Sequence, residues 1–158
     1  MSRLFQITDL VATLINDAKD EFAVPIVNVN GKRRPQTKKQ DLKQLVAYVT
    51  PHTRVFSEEQ QRLDTDDPGC SPNWDYVVEV TLARKLATVD PDGTDKATDE
   101  ELTDLTLTAE QVADRLARSL IEETVPIEIE HIDDGLFDEE ELREYRVFVS
   151  TIRVKYPL

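Results

Sequence analysis

The chain has 158 residues, of which 39% are hydrophobic and 32% charged, and its formal net charge is -13. That length suits one domain, residues 1–158, with a core of its own, and the apolar content lies near the globular average, which excludes wholesale disorder. So large an acidic excess repels phosphate over most of the surface and excludes ordinary nucleic-acid binding, which depends on Lys and Arg neutralising the backbone.

Along the chain, Ile7, Leu10, Val11, Leu14, Ala18 and Phe22 repeat at helical spacing and predict an amphipathic helix that stops before Pro25. Residues 28–44 read as a loop or loose hairpin with Asn30-Gly31 and Pro35, and they hold a basic run, KRRPQTKKQDLK from Lys32 to Lys43. Leu45 to Val49 alternates and is β-branched and aromatic, predicting a strand that ends near Pro51, with Val55 and Phe56 either extending it or standing apart. Residues 57–73 are polar and turn-rich, a long loop by domain standards. Trp74 to Leu86 is the clearest strand, with Tyr76, Val78, Val80 and Leu82 on one face and Asp75, Val77, Glu79, Thr81 and Ala83 on the other.

Residues 88–107 read as a second, acidic loop. Thr108 and Gln111 then stand at capping-box spacing and predict a helix to about Glu123 that buries Val112, Ala113, Leu116, Leu120 and Ile121. A short strand follows Pro126 through Ile127, Ile129 and His131, Asp138 caps a helical turn to Glu141, and Tyr145 to Tyr156 closes the chain as a strand. In that last strand Phe148, Ser150, Ile152, Val154 and Tyr156 form the greasier face and should point to the core. These elements predict an α+β domain in which a four-stranded, mainly antiparallel sheet packs on two helices.

Candidate chemistry is sparse. One cysteine, Cys70, can form neither an internal disulfide nor a thiolate zinc cluster, and four glycines leave no phosphate cradle. His52 and His131 have no sequence relation to a nucleophile and read as surface or structural residues. Asp90, Asp92, Thr94 and Glu101 occupy calcium-loop places, but Gly93 falls two places early for the required turn, so the segment reads as a solvated acidic loop. No metal or other cofactor and no catalytic residue is expected. Without a signal-like start or an apolar run of about 20 residues, the expectation is a soluble protein folding in a reducing cytoplasm.

The charge is also uneven. The basic run contrasts with residues 128–144, which carry nine acids and one Arg. Opposite patches on one domain suit heterologous contacts between copies.

The strand beginning Tyr76-Val-Val-Glu-Val-Thr-Leu-Ala, the Leu102 to Ile121 segment and the ending from Asp134-Gly-Leu-Phe through Val-Phe-Val-Ser-Thr-Ile-Arg-Val-Lys-Tyr156 resemble the tail terminator proteins of tailed phages, of the lambda tail-terminator type. The resemblance implies a non-enzymatic virion protein of the tail and neck. It would form a hexameric ring that ends the tail tube and meets the head–tail connector, and would be assembled in the host cytoplasm. Within it, Lys32, Arg33, Arg34, Lys38 and Lys39 are candidate partner contacts. Asp90, Asp92, Asp95, Asp99, Glu100, Glu101, Asp133 and Asp134 are candidates for a channel lining that repels DNA. The alternatives are an acidic inhibitor that imitates DNA, or another neck or connector protein.

Overall fold

The computed structural model describes residues 2–31, 43–57, 74–86 and 96–157, the side chains of 96–98 excepted. In chain order the elements are α1 (Arg3–Ala18), β1 (Asn28–Asn30), β2 (Val46–Phe56), β3 (Trp74–Lys85), α2 (Lys96–Arg118), β4 (Glu128–His131), a 3-10 turn (Asp134–Leu136), α3 (Glu139–Tyr145) and β5 (Val147–Pro157). The five strands make one mixed sheet in the order β1-β2-β3-β5-β4, with β1 parallel to β2 and every other pairing antiparallel. The expected α+β class holds, with five strands and three helices where four and two were anticipated.

Period-2 alternation sorts the sheet into two faces. Ala47 and Val49 of β2, Tyr76, Val78, Val80 and Leu82 of β3, and Phe148, Ile152, Val154 and Tyr156 of β5 meet Ile7, Val11 and Ile15 of α1 and Leu105, Ala109, Val112 and Leu116 of α2 in the main core. The faces predicted for β3 and β5 are the ones observed. On the opposite face Val46, Tyr48, Ala83 and Val147 make a second, small apolar cluster.

Several boundaries differ from the sequence reading, and at β2 the extension through Val55 and Phe56 is the alternative observed. β2 runs on through Pro51 to Phe56, because the register shifts between Pro51 and Thr53 and the ladder absorbs the missing N–H at that irregularity. β1, parallel to β2, lies where a loop or loose hairpin was expected. It is three residues of backbone pairing, Asn28 to Val46 through Asn30 to Tyr48, in a segment whose asparagines carry no strand signal. α2 starts at Lys96, twelve positions before the expected capping box at Thr108.

That last difference has a chemical origin. Threonines are poor helix formers, and the 96–108 segment contains several, but their hydroxyls bond back onto the helix: Thr103 Oγ1 donates to the Asp99 carbonyl at 2.8 Å and Thr108 Oγ1 to the Asp104 carbonyl at 2.9 Å. Leu102, Leu105, Ala109 and Val112 supply the apolar stripe. The helix also ends early, at Arg118. Glu122 and Glu123 adopt positive φ and turn the chain, which leaves Leu120 60% exposed while Ile121 stays buried. α1 likewise stops at Ala18, short of Phe22, and the buried Phe22 belongs to the turn that follows.

Thr108 and Gln111, spaced as a capping box, cap a different segment. The backbone N–H of Val24 donates to Thr108 Oγ1 (2.8 Å) and that of Ala23 to Gln111 Oε1 (2.7 Å), which fastens the connection after α1 to the middle of α2. Thr108 is fully buried, whereas the Ala23 contact is exposed. Thr108→Val keeps the side-chain volume and strands the Val24 donor, so it should lower unfolding free energy by about 1–3 kcal/mol in urea titrations, with Gln111→Ala costing about 0.5 kcal/mol or less.

Candidate functional site

The three helices all pack on one face of the sheet, so the polar side chains of the other face assemble into the most structured charge cluster among the described residues. It is set by register. Glu79 of β3 lies opposite Thr50 of β2 and Arg153 of β5, and Arg153 in turn lies opposite Glu130 of β4. One step along, Val77 faces Thr53 on one side and Lys155 on the other, and Lys155 faces Glu128.

Glu79 Oε1 accepts from Arg153 Nη2 at 2.9 Å and Nε at 3.3 Å, and His52 Nδ1 approaches the same oxygen at 3.0 Å. Lys155 Nζ donates to Glu128 Oε2 at 3.2 Å. Charges therefore alternate across the strands, each acid beside a base, which is the favourable cross-strand arrangement. These residues rim a cleft of about 190 Å³ floored by Val77. His52 reaches it because it is the extra residue at the β2 irregularity, which aims its ring back over β3. The only hydroxyl on the cleft wall, Thr53 Oγ1, donates to the Arg54 carbonyl at 3.3 Å. The cluster can recognise charge; it does not present an activated nucleophile.

Periodicity had put Glu79, Arg153 and Lys155 on the outer faces of their strands, but which acid meets which base depends on strand order and register, and these are tertiary facts.

The anticipated acidic residues have separate fates. Asp90, Asp92 and Asp95 lie outside the described residues, as do Cys70 and the basic run Lys32, Arg33, Arg34, Lys38 and Lys39. Asp99 and Glu100 are exposed on the first turns of α2. Glu101 is turned inward, its side chain 11% exposed and 3.6 Å from Arg84 Nε in an ion pair. Among the described residues no group of three or more His, Cys, Asp or Glu side chains could hold a metal. Asp99 also borders a groove with Leu102, Thr106, Leu107, Glu110 and Phe137, so the start of α2 and the acidic turn before α3 meet at one place.

At that turn Asp134 is exposed but Asp133 works structurally: its Oδ2 accepts the Thr151 N–H at 3.3 Å, next to the Ile132 N–H bond to the Thr151 carbonyl. Asp138 caps α3 as expected, accepting from the N–H groups of Glu140 and Glu141 at 3.0 and 3.1 Å. Among the described residues no helix is long and apolar enough to cross a membrane.

No protein-family model matches this chain, and no curated protein matches its sequence.

Burial raises the Asp133 carboxyl above its ordinary value, opposed by the Thr151 hydrogen bond and aided by Asp138 and Asp134. An acid whose pKa is raised on folding binds more protons folded than unfolded, so this residue's contribution to stability falls as pH rises from the unfolded value of 3.8 through the folded one. Asp133→Asn keeps an acceptor for Thr151 without the charge. Its urea midpoint relative to the parent protein should therefore rise with pH above 3.8 and level off once the folded carboxyl is ionised.

Proposed function

We propose that this chain is a structural assembly protein of a tailed bacteriophage, of the tail-terminator type, whose copies join head to tail into a hexameric ring that closes the tail tube and meets the head–tail connector. The observation that carries the reading is that the sheet ends in two unlike edges. On one side the three-residue β1 covers only Val46 to Tyr48 of the longer β2; on the other stands the four-residue β4. Unlike edges at opposite ends of one sheet make heterologous contacts, and heterologous contacts with the right rotation close into rings.

Charge supports the same reading. A ring through which DNA passes works best with a lining that repels phosphate; Asp99, Glu100 and Asp134 are exposed, and Asp99 shares a groove with Phe137 of the turn before α3. The basic run around Lys32 to Lys39 gives the same chain a patch that acidic neighbours in the tail tube or connector would bind. The resemblance of the β3 and β5 segments to tail terminators supplies the identity of those neighbours.

Light scattering behind a sizing column should give a mass six times that of the protomer, with a ring in negative stain. Added to polymerising tail tube protein, the ring should stop elongation and bind one end. Charge reversal at Lys32, Arg33 and Arg34 should weaken that binding most at low salt. A protein that stays monomeric at every concentration and leaves tube length unchanged would refute the reading.

A further inference from the structure

Within the ring just proposed, and resting on that reading, we infer that the subunit joint is a strand-to-strand seam. Residues 53–56 of β2 in one copy pair antiparallel with β4 (Glu128–His131) of the next, making one sheet continuous around the ring.

The free stretches match. β1 occupies β2 only at Val46, Ala47 and Tyr48, and Pro51 with the irregularity at His52 blunts the middle of the edge. Among the described residues, what remains unblunted beyond the irregularity is Thr53, Arg54, Val55 and Phe56, and the opposite edge strand β4 is also four residues long. Thr53, Arg54 and Val55 are exposed, as are Glu128 and Glu130, so both backbones can be reached.

Direction matches as well. β2 is antiparallel to β3, β3 to β5 and β5 to β4, so β4 runs opposite to β2 within one copy. A neighbour related by rotation about an axis along the strands brings its β2 to this β4 still antiparallel, the better paired arrangement.

Charge and apolar surface fit the same seam. On the face that carries Glu128 and Glu130 of β4, the free end of β2 presents His52, Thr53 and Val55 and no acid, while Arg54 lies on the helical side. Arg54 is held in place, its guanidinium 4.1 Å from the centre of the Trp74 ring, and Trp74 meets Phe56 edge to face. Val55 at one edge is 41% exposed, and Val125 and Ile127 beside the other are 48% and 56% exposed. A seam would cover this apolar surface, which charge attraction alone would not use.

The test is a charge exchange. Thr53→Glu with Val55→Glu makes both edges acidic on the face that carries Glu128 and Glu130, and Thr53→Lys, Val55→Lys, Glu128→Lys and Glu130→Lys together make both basic. Each variant alone should run as a monomer by light scattering, and an equimolar mixture should recover the ring mass, with copies alternating. In parallel, amide exchange of the unmutated protein above and below its assembly concentration should slow at 53–56 and 128–131 by at least tenfold. This second measurement decides the matter should a variant not fold. If each variant alone still forms the ring, or amides elsewhere slow instead, the seam is wrong while the ring stands. If the unmutated protein never assembles, the ring falls and the seam with it.

Discussion

β3 is paired along nearly its whole length on both sides, from Asp75 opposite Pro157 to Lys85 opposite Val147 on one side and from Val46 opposite Ala83 to Phe56 opposite Trp74 on the other. A strand in that position has no freedom of register. A slip of one residue would carry Tyr76, Val78, Val80 and Leu82 out of the core and push Asp75, Glu79 and Thr81 into it. The rest of the molecule follows from this constraint. The apolar face of β3 fixes where α1 and α2 must lie, and its polar face fixes Glu79 as the point at which His52 and Arg153 converge. Because β2 and β5 take both sides of β3, the short strands β1 and β4 are left at the margins.

Packing on the helical side is organised by a polar contact. Thr108 is buried in the middle of α2, and its hydroxyl closes two accounts at once, donating within the helix and accepting from the backbone after α1. A buried N–H without such a partner would cost about 1–3 kcal/mol, so the docking angle of the α1 turn on α2 is specified by a hydrogen bond as much as by hydrophobic contact. Glu21 and Arg115, 2.5 Å apart, span the same pair of elements at the surface, where screening leaves an ion pair little weight.

Where sequence and structure agree, the reason is local periodicity. The alternation in β3 and β5 and the Ile7, Val11, Ala18 positions of α1 depend only on nearby neighbours, so they can be read before any fold is known, although Leu10, expected on that stripe, is 39% exposed and the buried Ile15 was not expected there. Disagreement arises where a distant partner decides. β1 exists because β2 lies beside it. Thr108 and Gln111 look like a cap because a hydroxyl and an amide at that spacing can satisfy nearby N–H groups, and here the N–H groups they satisfy belong to Ala23 and Val24. The acidic residues show the same division: composition shows that they are many, but only tertiary contacts separate Glu101, paired with Arg84, and Asp133, bonded to Thr151, from the exposed Asp99, Glu100 and Asp134.

The distribution of charge on the sheet bears on what such a molecule can do. Its helix-free face is nearly self-compensated, since Glu79, Glu128 and Glu130 are met by Arg153, Lys155 and His52. A compensated face has no strong field to attract or repel a polyion, so the chain's charge of -13 must act elsewhere. Much of it lies on the helical side, in the exposed turns of α2 and the run before and within α3, where Asp138 to Glu141 also stabilise a helix N-terminus. In a ring built through the sheet edges, the balanced face and the acidic face point in different directions.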